Sequence, residues 1–466
     1  MAGIGLTVPE RTGRVVAEDV EVKILGTCAH PSPLNQRLAR SAMHYVGKAD
    51  RVPVDDRMSK IGEYGADISL APAFELAGPR DQIFFDSQRM RCGIVTCGGL
   101  CPGINNVIRG LVLELTRGYG VEHILGFRYG YAGLVGDGPR PIELTPGVVA
   151  DIHHEGGTAL GTSRGSQDPC AMVDTLEQLG VRVLFVIGGD GTLRGAMTLV
   201  SEIETRGASI GVVGIPKTID NDIHFIDRSF GFETAFSAAV DVIRGAHVEA
   251  QAAVNGVGIV KLMGRHSGFI ACQAAIASTD VDAVLIPEIP VRLEGEGGLL
   301  DFLDRRLKRH SHAVIVVAEG AGQEHCFDGA PESRTDASGN IRLGDIGVVL
   351  KNRIVDHFRH RKIDMTLKYI DPSYHIRSVP ALPNDSVYCW NMARNAVHAA
   401  MAGNTELLIG RWHGRFVHVP IPLATRFRKQ VDPSGDLWMA VVESTGQPVS
   451  WQPNEEAVLP AVSAFV

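Results

Sequence analysis

Val183-Leu184-Phe185-Val186-Ile187 runs straight into Gly188-Gly189-Asp190-Gly191-Thr192, and a second apolar run over 210–215 opens into Pro216-Lys217-Thr218-Ile219-Asp220-Asn221-Asp222. Each run is five or six residues long, rich in β-branched side chains and bounded by glycine or by turn-forming acids. That pattern predicts two buried strands. The segment between them, 193–205, reads as a helix, so the pair forms a β-α-β unit of a parallel sheet. Ligands of such sheets gather at the carboxyl ends of the strands, where both polar loops fall. The first loop offers bare backbone N–H groups and one carboxylate, which suits a phosphate chain carrying a metal. The second offers two carboxylates, a hydroxyl and an amine. Together they hold what phosphoryl transfer to a hydroxyl requires: a phosphate cradle, a metal anchor, a base and a cation.

The same alternation extends in both directions. Strands at 92–96, 181–187, 210–215 and 257–262 are followed by helices at 105–117, 193–205, 233–246 and 269–278. The helix at 105–117 places Val107, Ile108, Leu111, Val112 and Leu115 on one face. Asp168-Pro169 starts a further helix as N-cap and first position, and Gly180 ends it. Later strands are expected at 312–317 and 363–370, and a long helix at 386–401. The glycine-rich polar stretch 320–347, which includes Asp336-Ala337-Ser338-Gly339-Asn340, reads as an exposed excursion. Residues 1–88 carry little apolar periodicity and read as an extension that packs on the body or on a neighbouring subunit.

Composition sets the bounds. At 466 residues the chain exceeds one simple core and should hold two or three domains. A hydrophobic share of 45% with 21% charged residues describes an ordinary globular protein. The net charge of -8 argues against a general nucleic-acid surface. The eight cysteines are scattered and form no CxxC pair; Cys97 and Cys101 flank a glycine turn with no histidine nearby, so zinc is not expected and reduced thiols are. No apolar run is long enough to span a bilayer, and Met1-Ala2-Gly3-Ile4-Gly5 lacks the basic start of a secretory signal. The expected location is the cytoplasm, with no membrane partner.

Five further motifs fall at strand ends. Gly98-Gly99-Leu100-Cys101-Pro102-Gly103 lies between a strand and a helix and is neither a Walker loop nor a GxGxxG fingerprint. Gly161-Thr162-Ser163-Arg164-Gly165 sets one arginine among small residues. Met263-Gly264-Arg265 follows the strand at 257–262, and an arginine there can fork onto a sugar or phosphate. Ala318-Glu319-Gly320 ends the strand at 312–317. Tyr374-His375-Ile376-Arg377 follows the last strand with an aromatic ring, an imidazole and a guanidinium. Each alone has a plain reading as a structural turn, a surface loop, ordinary packing or a capped strand end; what raises them is convergence, since five strand ends all carry polar or charged groups.

Taken in order from Gly98 to Arg377, GGLCPGINNVIRG, GTSRG, GGDGT, PKTIDND, KLMGRHSGF, AEG and YHIR resemble the 6-phosphofructokinase family. That resemblance implies two α/β lobes of mostly parallel sheets flanked by helices, with the active site in the cleft between them. It sets lobes at about 89–233 (nucleotide) and 234–400 (substrate), with the chain crossing back between them, and a C-terminal segment at 401–466. By the same resemblance Gly98, Arg164, Gly165, Gly189, Asp190, Gly191 and Thr192 hold ATP, and Asp190 binds Mg²⁺. Asp220 is the base for the sugar 1-hydroxyl, with Thr218 and Lys217 beside the transferred phosphoryl group. Thr218, Ile219, Met263, Gly264, Arg265, Glu319, Lys368, Tyr374, His375, Ile376 and Arg377 hold fructose 6-phosphate. A homo-oligomer, tetramer or dimer, under allosteric control is also implied.

Donor choice turns on Gly191. Pyrophosphate-using members of the family usually carry aspartate there, where it would crowd and repel the α-phosphate of a nucleotide. Lys217, by contrast, is typical of those pyrophosphate users. Glycine and lysine together resemble the long ATP-dependent branch, so ATP is the expected donor and pyrophosphate the alternative. NAD and lipid kinases share Gly-Gly-Asp-Gly but lack the MGR and YHIR elements. A non-catalytic regulatory subunit would have lost Asp190 or Asp220, and both are present. The chain departs from short bacterial members in having Gly256 seven residues before Met263, where they carry arginine, and Tyr374 in place of histidine.

Overall fold

The computed structural model describes residues 15–37, 44–65, 67, 70–327 and 342–452. The N-terminus, the polar heart of the 320–347 excursion and the C-terminal tail lie outside the described residues. The chain divides into two compact units: residues 1–218, 223–232 and 377–428 form the first, and 219–222, 233–376 and 429–466 the second.

Among the described residues, the first unit is built on a nine-stranded sheet. Its centre is five parallel strands: Leu407–Trp412, Gly211–Pro216, Val181–Gly188, Arg91–Thr96 and His123–Phe127. The central strands are apolar on both faces because helices cover both, and Val183 to Ile187 have no exposed surface at all, as parallel strands require. Each such side chain contributes on the order of 1.5–3 kcal/mol of burial. Antiparallel strands finish both edges: Ile142–Glu143 on one side; Arg415–Pro420, Ala73–Leu76 and Arg51–Pro53 on the other. Two strands of the N-terminal extension are therefore part of this sheet. Sequence gave little sign of them, because they are three and four residues long and only one face is apolar.

The helix expected at 105–117 runs as an α-helix over Ile104–Leu113 and widens into a π-helical turn, Glu114–Tyr119. Gly120, with φ +72°, ends it in the left-handed conformation, for which glycine has no Cβ penalty. Asp168 caps Pro169–Gln178 by accepting from the Cys170 N–H, as the Asp-Pro pair predicts.

The second unit is built on a four-stranded, wholly parallel sheet in the order Ala283–Leu285, His312–Ala318, Gly256–Leu262, Thr366–Ile370. Helix Phe232–Gln251 leads into the Gly256 strand. A Cβ on Gly256 would sit 2.0 Å from the Ala250 carbonyl oxygen, so the arginine that short bacterial members carry there cannot be housed. The segment Tyr374 to Arg377 does not extend the strand but lies in a short helix, Ser373–Ser378. The turn is favoured by Asp371, whose carboxylate accepts from both the Ser373 N–H and hydroxyl in an Asx-type turn that leads into the helix. No helix of the described residues is long and apolar enough to cross a membrane.

Candidate functional site

In the first unit the glycine loops are stitched to one another. The Gly98 N–H donates to the Ser163 carbonyl at 3.1 Å, and Thr162 Oγ1 donates to the Gly98 carbonyl at 2.7 Å. Gly98 has φ +84°, which a side chain would adopt only under strain. The Arg164 and Gly165 end of that second loop is exposed. The Val181–Gly188 strand ends at Gly189, the N-cap of helix Asp190–Thr205. The dipole of this helix and its unsatisfied N–H groups favour an anion at that point.

Lys217 is buried and ties the second polar loop back to the first two. Its N–H donates to the Gly188 carbonyl at 2.9 Å, and its Nζ donates to the Gly99 carbonyl at 2.7 Å. A Cβ on Gly98 would lie 3.6 Å from that Nζ and 4.0 Å from Thr192 Oγ1. One on Gly99 would lie 3.7 Å from Arg377 Nη1. Gly98, Gly99, Thr192, Lys217 and Arg377 therefore meet at one place. A Cβ at Gly191, by contrast, meets nothing within 4 Å.

Asp190 accepts from Arg194 Nε at 3.3 Å and from Arg428 Nη2 at 3.3 Å. Neither arginine was expected from the motif reading. The Arg194 partner was legible as an i,i+4 pair on a helix; Arg428 had no local signal, being more than 200 residues away. The hard oxygens of Asp190 at a helix N-terminus fit a Mg²⁺ that arrives on phosphate oxygens. Among the described residues there is no group of three or more His, Cys, Asp or Glu side chains that could hold a metal; magnesium commonly takes only one or two protein carboxylates together with substrate oxygens.

The second unit gathers side chains rather than bare backbone. Asp220 is half-buried, and its carboxyl is pushed up to about 8, chiefly by burial, then by the negative charges of Asp222 and Glu319. The Arg265 N–H and guanidinium pull in the opposite direction. Asp220, Asp222, Arg265 and Glu319 thus form one electrostatic cluster, with the acids winning. The backbone at 263–265 is shaped by its neighbours: the Glu319 N–H donates to the Leu262 carbonyl at 2.8 Å and the Gly320 N–H to the Gly264 carbonyl at 3.1 Å. Gly264 has φ +129°, and a Cβ on it would sit 2.5 Å from the Ser267 carbonyl oxygen.

The remaining expected residues divide by exposure. Tyr374 is 76% exposed, and His375 is exposed beside it. Ile376 is fully buried, so its side chain anchors the short helix. Ile219 is buried as well. Met263 is half-buried. Lys368 is exposed on the edge strand, where it pairs with Gly258. One ion cluster was missed from sequence: Lys261 Nζ lies 2.9 Å from Asp371 and 3.2 Å from Asp345, and the Tyr369 hydroxyl donates to Asp345 at 2.8 Å. Lys261, two residues before Met263, thereby ties the Met-Gly-Arg strand to the turn that leads into the Tyr374 helix.

A phosphofructokinase family model matches residues 91–400. An ATP-dependent 6-phosphofructokinase of Amycolatopsis methanolica is 53% identical, over 93% of this chain and 96% of that protein. One from Borreliella burgdorferi is 47% identical, over 94% of this chain and 99% of the relative. Among solved structures, a pyrophosphate-dependent phosphofructokinase from Marinobacter aquaeolei superimposes with a TM-score of 0.63 at 18% identity, over 79% of this chain and 94% of that one. At that identity the likeness speaks for the fold.

Proposed function

The chain belongs to the phosphofructokinase family, and from that premise we propose that it transfers the γ-phosphoryl group of ATP to the 1-hydroxyl of fructose 6-phosphate, giving fructose 1,6-bisphosphate. The observation that carries the residue roles is the raised proton affinity of Asp220 among Asp222 and Glu319. A general base works best when its pKa approaches the working pH, and an ordinary aspartate lies far below it.

In this reading Asp220 takes the proton of the 1-hydroxyl as its oxygen attacks the γ-phosphorus. Lys217 and Thr218 lie beside the transferred group, and the lysine balances the charge that builds on its oxygens. Gly98, Arg164, Gly165, Gly189, Gly191 and Thr192 receive the nucleotide, and Asp190 would hold Mg²⁺. That ion, when bound, neutralises charge on the β- and γ-phosphate oxygens. Met263, Gly264, Arg265, Glu319, Tyr374, His375 and Arg377, with Ile219 and Ile376, hold fructose 6-phosphate; Lys368 adds a contact to it from a neighbouring subunit. A cytoplasmic homo-oligomer under allosteric control completes the proposal.

Pyrophosphate as donor is the second reading, favoured by Lys217 in the glycine loops. Open space at Gly191 and the ATP-dependent relatives weigh against it. Phosphorus NMR of a mixture of the protein, Mg²⁺, ATP and fructose 6-phosphate tests the main reading. A new sugar phosphate on carbon 1 with matching ADP is expected; ATP left intact would overturn it.

A further inference from the structure

The loop that carries the two carboxylates bends sharply at Asn221, whose φ of +56° lies in the left-handed region. Asparagine tolerates that region better than most side chains, but such a bend persists only when its surroundings hold it. Here the carbonyls on both sides of the bend are tied. Ser267 Oγ donates to the Asp220 carbonyl at 3.1 Å. The Lys429 N–H donates to the Asp222 carbonyl at 3.0 Å.

Those two ties are themselves joined. Glu288 Oε1 accepts from the Gly268 N–H at 3.0 Å and from the Val431 N–H at 2.8 Å. Gln430 Nε2 donates to the His266 carbonyl at 3.0 Å. The result is a closed ring: Asp220 to Ser267, Gly268 to Glu288, Glu288 to Val431, Lys429 to Asp222. Ser267 has no exposed surface. A Cβ on Gly268 would lie 2.2 Å from Ile286 Cγ2 and 3.2 Å from Glu288 Oε2, so only glycine lets the ring close. Ser267, Gly268, Glu288 and the 429–431 backbone are not among the residues placed on either substrate.

We propose that Ser267, Glu288 and the segment 429–431 form a clamp that fixes the Asp220–Asp222 bend in its reactive shape, which makes Ser267 and Glu288 positioning residues for phosphoryl transfer. The proposal rests on the reading of Asp220 as the base. A base must come within hydrogen-bond reach of the hydroxyl it deprotonates. A shift of about 1 Å in such a group costs up to roughly 10²-fold in rate. Cutting either tie lets the strained bend relax and moves the carboxyl off that position.

The test uses the full chain and measures kcat, both KM values and thermal unfolding. Ser267→Ala removes one buried hydroxyl with almost no change of shape. It is expected to lower kcat about 5- to 50-fold, the order that misplacement costs, while KM for ATP and the melting temperature change little. Glu288→Leu removes the shared acceptor and is expected to lower kcat by about 10- to 100-fold. Glu288→Gln keeps one acceptor oxygen and should retain kcat within about threefold of the parent. The Ser267→Ala, Glu288→Leu double variant should be no worse than the poorer single one, because both cut one ring. A Ser267→Ala protein that turns over within twofold of the parent overturns the clamp, whether or not Glu288→Leu folds. Asp220→Ala, run alongside, separates the two failures. If it leaves turnover intact, the base assignment falls and the clamp falls with it. If it abolishes turnover while Ser267→Ala does not, the clamp alone falls.

Discussion

On the proposed reading, the first unit would meet its ligand with backbone, and the second with side chains. In the first, glycine loops lead into a helix N-terminus, and the proposed selectivity is a matter of what is missing: no Cβ at 191 and no neighbour within 4 Å of where one would stand. In the second, Asp220, Asp222, Arg265 and Glu319 crowd together until one carboxyl holds its proton far more tightly than usual. A phosphate chain is recognised well by repeated N–H groups and a helix terminus, which are cheap to build and tolerant of small shifts. Accepting one proton from one hydroxyl needs a single group of tuned affinity in a fixed place. The difference teaches that the donor side should tolerate side-chain loss but not side-chain gain, and the acceptor side the reverse.

The largest expected effect breaks that contrast at its acceptor end. Asp220→Ala should lower kcat by about 10²–10⁴-fold, the usual worth of a positioned base, with fructose 6-phosphate binding retained by equilibrium titration. Unchanged turnover would remove Asp220 from the mechanism. At the donor end, Gly191→Asp should fold normally, because its Cβ meets nothing and an acid in the first turn of a helix is favourable. Its kcat/KM for ATP should nevertheless drop on the order of 10²-fold from like-charge repulsion. Full ATP activity in that variant would show that the space at 191 is not what admits the nucleotide.

A smaller effect is expected at Lys261. Lys261→Met leaves Asp371 and Asp345 without their shared cation and loosens the turn that leads into the Tyr374 helix. KM for fructose 6-phosphate should rise about tenfold, the worth of roughly one charge-assisted hydrogen bond. KM for ATP should stay within about twofold, and Lys261→Arg should restore most of the loss. Equal changes in both constants would make Lys261 a general stabiliser.

The smallest effect is one of stability. Asp220 in the folded chain binds its proton more tightly than in the unfolded chain. The folded state therefore holds the extra proton between the ordinary aspartate range and about 8, and stability falls as pH rises through that window. Asp220→Asn carries no such proton. Its melting temperature should exceed the parent's at pH 8.5, with the gap closing towards pH 4. A gap that does not vary with pH would contradict the raised affinity. The same protonation should lower the parent's kcat/KM on the acid side of the profile, because only the carboxylate can act as base.

Much of this contrast was legible in the sequence, and unevenly. The apolar runs before GGDGT and PKTIDND announced buried parallel strands, and the strand ends announced the polar loops, because both signals are local. Lys217 was visible as a cation, but its reach to the Gly99 carbonyl was not. Asp190 was visible as a carboxylate, but its Arg428 partner comes from a segment with no motif. The N-terminal strands at Arg51–Pro53 and Ala73–Leu76 were hidden by their shortness, and the Ser373–Ser378 helix by a turn favoured by one aspartate. What sequence could not supply was the distribution of charge around Asp220, since Asp222, Glu319 and Arg265 are brought together only by the chain's path through three loops.

On the proposed reading, a backbone cradle left open at Gly191 delivers ATP's phosphoryl group to the sugar hydroxyl. The measurement that tests it most directly is kcat/KM for fructose 6-phosphate phosphorylation with ATP and with pyrophosphate as donors, on one preparation with Mg²⁺ present. Steady turnover with ATP and none measurable with pyrophosphate is the expected result. Turnover with pyrophosphate and none with ATP would contradict it.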